Sequence, residues 1–317
     1  MTRPGAARPG AARPVRAGVV GTGALGRHHV RILAELPEAE LAGIYDLRSE
    51  VASALAAEHG TTACGSLDEL LDAVEAVVVA VPTVAHREIG CRVLERGLHL
   101  LVEKPIARDL AEADALLAAA GDGQVLAVGH VEFYNPAVQA LLGLGEQPRF
   151  IDVERLAPFT PRSLDVDVLL DLMIHDLQVL HALDPSPLAE IRATGVAVLS
   201  DRIDIANARL EFASGLVANV TASRVSVEPT RHLRFFGHRR YVSVDYREQE
   251  IKSFRLEEQG SERRILPHDF TIERVEPLKA ELRAFLAACR GEAVAYVDGA
   301  QGRRALETAF AVRRAIG

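Results

Sequence analysis

Six residues, Gly21-Thr22-Gly23-Ala24-Leu25-Gly26, constrain the fold of this 317-residue chain more than any other stretch. They follow an apolar run, Ala17-Gly18-Val19-Val20, and open an amphipathic segment that reads as a helix from Leu25 to Leu36. In a strand–turn–helix unit, three glycines at this spacing have separate jobs. Gly21 permits the tight turn, Gly23 lets a pyrophosphate approach the backbone, and Gly26 lets the helix pack close to the strand. Thr22, Ala24 and Leu25 complete the turn, whose backbone N–H groups and helix dipole suit phosphate oxygens. Asp46, twenty residues past Gly26, ends the next apolar run, Leu41 to Tyr45. A carboxylate there can bind the adenosine ribose hydroxyls and repels a 2′-phosphate, which favours NAD over NADP. Arg48, two residues on, tempers that preference.

The alternation continues beyond the fingerprint. A helix is expected over 49–58, and the β-branched run 76–81 reads as a strand buried on both faces. A helix over 85–96 ends at Gly97, a residue suited to a left-handed cap. Strand 98–102, helix 110–120 and strand 125–128 complete a pattern that implies a doubly wound parallel sheet. Val81-Pro82-Thr83 ends the buried strand, on the edge where such sheets bind ligands, and is expected to border the cofactor. His86 opens the next helix, where contact with the cofactor and a packing role are both open.

After about residue 130 the pattern changes. Helices are expected over 136–144 and 166–183, then consecutive strands over 191–199, 203–212, 216–223, 232–236, 241–246 and 251–256, then helices over 277–289 and 301–316. The expected class is α/β. Residues 15–129 form the nucleotide-binding domain, and residues 130–317 form an α+β domain on an open-faced, largely antiparallel sheet. Such a face needs covering, and a homo-oligomer (dimer or tetramer) is the expected cover. Residues 1–14 repeat Arg-Pro-Gly-Ala-Ala with nothing large to bury, and are expected to be a disordered tail.

Composition narrows the partners. A net charge of −8 with no long basic run argues against nucleic acid, and the apolar stretch 76–82 is too short to span a bilayer. Cys64, Cys91 and Cys289 are widely separated and show no metal-ligand spacing, so no metal and a reducing, cytosolic setting are expected.

The chain has 36 Lys and Arg residues but only three lysines. One of these, Lys104, stands in Glu103-Lys104-Pro105 where strand 98–102 runs out, on the same sheet edge as the dinucleotide turn. Arginine does not deprotonate in proteins, whereas a desolvated lysine can, so a lysine here points to proton chemistry or a compact cation. Asp171 and His175 lie four apart among apolar neighbours, on one face of the expected helix. There Asp171 could orient the imidazole while His175 takes the proton of a hydroxyl whose carbon loses hydride.

Together these residues resemble the glucose-fructose oxidoreductase/inositol dehydrogenase/rhizopine catabolism (Gfo/Idh/MocA) family. The resemblance rests on Val20 to Gly26 with His29, Val81 to His86, Glu103-Lys104-Pro105 and Asp171-x-x-x-His175, in family order over residues 15–317. It implies a Rossmann domain followed by an open-faced α+β domain, NAD(P) as cofactor, and Lys104, Asp171 and His175 as catalytic residues that also meet the substrate. Finer motifs, Gly129 to Pro136, Leu170 to Asp176 and Ser223 to Ser226, are similar to UDP-N-acetylglucosamine 3-dehydrogenases, which oxidise the sugar ahead of amino-sugar formation for lipid A-type glycolipids. By that likeness His130, Glu132 and Asn135 are expected at the substrate. Arg155, Arg162, Arg224, Arg231 and Arg234 are available for its diphosphate, Arg162 and Arg224 foremost. Phe133 stands where such enzymes carry arginine, and Gln178 where they carry aspartate. A dehydrogenase of a free sugar or inositol is the alternative enzyme. A non-catalytic NAD(H)-binding regulator is the alternative outside enzymes, and the intact set Lys104, Asp171 and His175 counts against it.

Overall fold

The computed structural model describes residues 13–160, 166–259 and 262–317. Most of the tail expected over 1–14, and Arg162, therefore lie outside the described residues. Within the described residues the Arg13 guanidinium pairs with Glu75.

The chain forms two compact units that are not consecutive blocks. The first takes the chain up to Val102, then Ala119–Leu126 and Leu282–Tyr296; the second takes Glu103–Ala118, Ala127–Glu281 and Val297–Gly317. The parallel sheet consists of β1 (Val15–Val20), β2 (Ala39–Tyr45), β3 (Ala76–Val79), β4 (His99–Glu103) and β5 (Leu126–Gly129), in the order β2-β1-β3-β4-β5. Chain order reverses at β1, because β2 lies on one side of it and β3 on the other. Open parallel sheets of this kind place ligands beyond the carboxyl ends at such a reversal. All four residues of β3 are buried, as its unbroken β-branched run requires.

Helix α1 (Gly26–Glu35) follows the fingerprint, and α2 (Ser49–His59) follows β2. A short helix that the sequence pattern did not bring out, α3 (Leu67–Ala73), precedes β3. Ser66 caps it by accepting the Glu69 N–H at 3.1 Å, and Leu67, Leu70 and Leu71 are buried. Gly18 of β1 lies so close that a Cβ there would stand 2.8 Å from Leu70 Cδ1. Helix α4 (His86–Glu95) ends before Gly97, whose φ of 79° is the expected left-handed stop.

The second unit is built on an eight-stranded sheet: β6 (Phe150–Leu156), β7 (Leu188–Val196), β8 (Ile205–Phe212), β9 (Val217–Ser223), β10 (Thr230–Phe236), β11 (Arg240–Asp245), β12 (Glu250–Gln259) and β13 (Glu262–His268). Their order is β13-β12-β11-β10-β6-β9-β8-β7. Only β6 and β9 pair in parallel; the other pairs are antiparallel. Neither β6 nor β13 was expected. Both are charge-rich, and β6 alternates so strictly that three of its residues, Ile151, Val153 and Arg155, carry its buried face. The helices are α5 (Leu110–Ala119), α6 (Pro136–Leu142), α7 (Ile174–Leu183), α8 (Pro277–Cys289, which continues into the first unit) and α9 (Gly299–Ile316). Asp298 opens α9 with a capping box completed by Gln301.

Candidate active site

In the first unit the fingerprint has the conformation its spacing implies. Gly21 adopts φ 89°, and a Cβ on it would stand 2.6 Å from the Ala80 carbonyl oxygen. A Cβ on Gly26 would fall 1.9 Å from the Gly21 carbonyl oxygen, so no other residue fits there without moving the turn. A Cβ on Gly23 would meet nothing nearer than an Arg48 guanidinium nitrogen at 4.0 Å. This leaves an approach to the backbone of the kind a pyrophosphate needs. Ala24 and Leu25 are exposed on the same turn, and Thr22 is buried beneath it.

Asp46 is fixed before any ligand arrives. One carboxylate oxygen accepts the Thr22 backbone N–H at 2.7 Å and the Thr22 hydroxyl at 2.9 Å. The other accepts the Arg48 backbone N–H at 2.9 Å and Arg48 Nε at 3.2 Å. Burial acts to raise its pKa, but the hydrogen bonds from Arg48 and Thr22 outweigh it and hold the carboxyl well below the usual carboxylate range. Val81 is half-buried, Pro82 exposed, and Thr83 begins a short 3₁₀ turn. His86 is buried, with Nε2 2.9 Å from the Val81 carbonyl oxygen, so it braces this turn from behind.

The second unit gathers the remaining expected residues. Glu103 is 6% exposed and ends β4; its Oε2 accepts the Lys104 N–H at 3.2 Å. Its carboxylate lies against Gly129, where a Cβ would be 2.8 Å from that same oxygen. The Lys104–Pro105 peptide is cis. Lys104 Nζ donates to the Asp171 backbone carbonyl at 2.7 Å and lies 3.3 Å from Asp171 Oδ1. Asp171 lies in a π-helical stretch, Leu169–Met173, where the Ile174 N–H reaches back five residues to the Leu169 carbonyl. Widened turns of this type recur at functional sites. The carboxylate of Asp171 meets the ammonium of Lys104, which arrives from another segment.

His175 packs edge-on against His130, with ring centroids 5.8 Å apart at 86°. His130 is fully buried, and neither of its ring nitrogens has a protein partner among the described residues; nor does Nδ1 of His175. Burial, then the charges of Lys104 and Arg155, push His175 well below the ordinary imidazole value. Burial and Lys104 push His130 down to about 3. Both rings are therefore neutral at physiological pH, with polar nitrogens left for a ligand or water to satisfy.

Beneath them lies a frame that sequence reasoning assigned differently. Arg155 is 3% exposed and forks onto Asp176, with Nε to Oδ2 at 2.7 Å and a terminal nitrogen to Oδ1 at 2.8 Å. Its other terminal nitrogen donates to Glu132 Oε1 at 2.7 Å, and the guanidinium lies 5.1 Å from the Tyr246 ring centroid. Burial works against its charge, and the carboxylates of Asp176 and Glu132 more than reverse this. Glu132 is thus engaged by the frame. Asn135 caps α6 by accepting the Ala137 N–H at 3.1 Å and donates to the Tyr246 carbonyl at 2.8 Å. Phe133 is buried edge-on against Tyr134. Gln178 is also buried, and its Oε1 lacks a partner among the described residues.

Arg224 is 4% exposed and belongs to a separate knot. It donates to Asp204 Oδ1 at 2.8 Å, to the Val166 carbonyl at 2.8 Å and to the Ser200 hydroxyl at 3.1 Å. Asp204 also accepts the backbone N–H groups of Val198, Leu199 and Ser200. The structure therefore commits Arg155 and Arg224 to protein carboxylates instead of leaving their donors for a diphosphate. The signal in the sequence was Asp176, next to His175, and Asp204, twenty residues before Arg224; pairing them needed the sheet register.

Residues 15–130 match the Gfo/Idh/MocA oxidoreductase family's NAD-binding Rossmann fold, and residues 146–243 match the Gfo/Idh/MocA C-terminal domain. The chain is 39% identical over 299 residues to UDP-N-acetylglucosamine 3-dehydrogenase of Acidithiobacillus ferrooxidans, covering 92% of this chain and 94% of that one. A solved structure of that enzyme superposes with a TM-score of 0.88, covering 96% and 98% of the two chains. Inositol 2-dehydrogenase of Rhizobium meliloti is 25% identical over 312 residues, covering 92% and 94%. Levoglucosan dehydrogenase in complex with NADH shares the fold, with a TM-score of 0.83 at 18% identity over 96% and 97% of the chains.

Proposed function

Because this chain belongs to the Gfo/Idh/MocA oxidoreductases, we propose that it oxidises a secondary hydroxyl of a nucleotide sugar to a ketone, with UDP-N-acetylglucosamine as substrate and C3 as the oxidised carbon. The observation that carries this reading is the cluster of Lys104, Asp171, His175 and His130. In it a lysine ammonium is held by a carbonyl and a carboxylate beside two neutral imidazoles with unsatisfied nitrogens. Likeness to the Acidithiobacillus enzyme supplies the substrate class.

NAD, when bound at the Gly21–Gly26 turn, supplies the hydride acceptor. Asp46 would receive the adenosine ribose hydroxyls, and its fixed negative charge disfavours a 2′-phosphate, so the reading is NAD ahead of NADP. Lys104 Nζ would donate to the substrate hydroxyl oxygen and stabilise negative charge as it develops there. His175, uncharged because it is buried among cations, is the base that takes the hydroxyl proton. Asp171 sets where the Lys104 ammonium stands.

The occupant that fits the open face of the eight-stranded sheet is a second copy of this chain. Register aligns Val217, Phe150, Phe236, Tyr241 and Phe254 in one row across β9, β6, β10, β11 and β12. The next row carries Arg209, Asp152, Arg234 and Lys252, and the row beyond it Glu154, His232, Asp245 and Glu250. An apolar row flanked by both signs of charge can pair with itself about a two-fold axis. Phe236→Glu with Tyr241→Glu should leave a monomer in sedimentation; an unchanged mass removes this placement.

The deciding assay follows nicotinamide reduction with UDP-N-acetylglucosamine, free N-acetylglucosamine and inositol in parallel, with 2-oxoglutarate included to recycle any retained cofactor. Turnover confined to the nucleotide sugar is the expected result. Turnover confined to a free polyol would keep the family and discard this substrate.

A further inference from the structure

A diphosphate substrate needs a cation that the protein itself has not already neutralised, and the arginines of the second unit are not equivalent in this respect. Arg155 and Arg224 are 3% and 5% exposed in their side chains, and each meets a carboxylate at 2.8 Å or less. Arg234 stands on the open face of the sheet, paired with Asp152 and Glu154. Arg231 differs from all three. It lies directly opposite Arg155 in the β10–β6 register, so the two side chains leave the same face of the sheet, above the Glu132 carboxylate. Yet its side chain is 45% exposed, and among the described residues its guanidinium meets only Glu132 Oε1, at 3.5 Å. Arg155 already holds that same oxygen at 2.7 Å. A guanidinium has five N–H donors in a planar fork, and here nearly all of them face no protein acceptor among the described residues.

Resting on the nucleotide-sugar reading above, we infer that Arg231 is the residue that receives the substrate's diphosphate. Arginine matches phosphate oxygens two at a time, which a lysine cannot do, and a half-exposed guanidinium exchanges water for phosphate at little desolvation cost. Positive charge is crowded at this point, which favours an anion. Burial and then Arg155 depress the Arg231 pKa, and Arg231 is among the cations that hold His175 neutral. The frame therefore has a division of labour across one pair of strands. Arg155 is locked to Asp176 and Glu132 and keeps the site's shape, while its neighbour is left with donors to offer.

The test uses the full-length protein and UDP as probe. Arg231→Met should raise the KM for UDP-N-acetylglucosamine at least tenfold while kcat changes less than threefold, and should weaken competitive inhibition by UDP by a similar factor. Arg231→Lys should restore part of both. A merely structural role would move kcat, melting temperature and KM together and leave the ratio of UDP to uridine affinity unchanged; that result overturns the inference. Calorimetry separates its failure from failure of the substrate reading. Wild-type protein that binds UDP but oxidises only a free polyol would sink the substrate reading, and Arg231→Met must still weaken UDP binding. Wild-type protein that does not bind UDP at all sinks the inference outright.

Discussion

The turn around Asp46 and the cluster around His175 are both prepared for a ligand, by opposite means. The first is made almost wholly of backbone: three glycines, one carboxylate and hydrogen bonds, all between Gly21 and Arg48. The second is made of side chains from segments as far apart as Lys104 and Asp171, supported by Arg155 from a third strand and Tyr246 from a fourth segment. A backbone site tolerates almost no added volume but depends little on distant residues. A side-chain site tolerates substitution at its edges and depends on every element that supports it.

The largest expected effect isolates the second site. Lys104→Ala and His175→Ala should each lower turnover at least a hundredfold while nicotinamide fluorescence titrations find NADH binding within about threefold of wild type. Near-normal rates would remove these residues from the chemistry. Gly26→Ala tests the converse. Its methyl would meet the Gly21 carbonyl, so NADH affinity should fall at least tenfold and the melting temperature should drop, whereas UDP binding to the second unit should hold. Loss of both together would mean the two sites are not separable in this way. Asp46→Ala is milder: NAD affinity should fall about tenfold and NADP affinity should not, a contrast readable from paired KM values. Equal effects on both cofactors would end the NAD preference.

The smallest expected effect is in the pH profile of stability. His130, His175 and His181 all have pKa values depressed by burial, with His130 at about 3 and His181 at about 4. A base whose folded pKa lies below its unfolded value of ~6.5 binds more protons when unfolded. Its contribution is therefore complete above pH ~6.5 and is lost as pH falls toward the folded value. Melting temperature should decline from pH 6.5 to 4, and His130→Asn should flatten that decline. A melting temperature that stays level over this range would mean the rings are not held neutral. The depressed carboxyls of Asp46 and Asp204 act in a separate window, because their contribution is lost only as pH falls below ~4.

Much of this was legible along the chain, and the exceptions share a cause. The Gly21–Gly26 turn, Asp46, the Gly97 stop and the helix Pro277–Cys289 follow from local rules of backbone freedom and periodicity. Strand β6 was not expected, because Asp152, Glu154 and Arg155 break its apolar pattern. Its buried face includes a charged residue whose partners, Glu132 and Asp176, come from elsewhere. Arginine in a sequence does not announce whether its charge is already matched. Arg155, Arg224 and Arg231 look alike in one dimension and differ in their burial and in the carboxylates that reach them.

By itself the sequence determined the dinucleotide turn, the change from strand–helix alternation to consecutive strands, and the residue types at Lys104, Asp171 and His175. Each of these is set by a glycine's freedom, a hydrophobic period or the proton chemistry of a side chain. Tertiary structure alone decided which partners those groups have: Asp171 meets Lys104, the two imidazoles stand neutral against each other, and two arginines are buried against carboxylates while a third stays half-exposed. The physical reason is that burial and pairing set the charge state of a buried group, and both depend on residues that are remote in the chain and adjacent only once the sheet has formed its register.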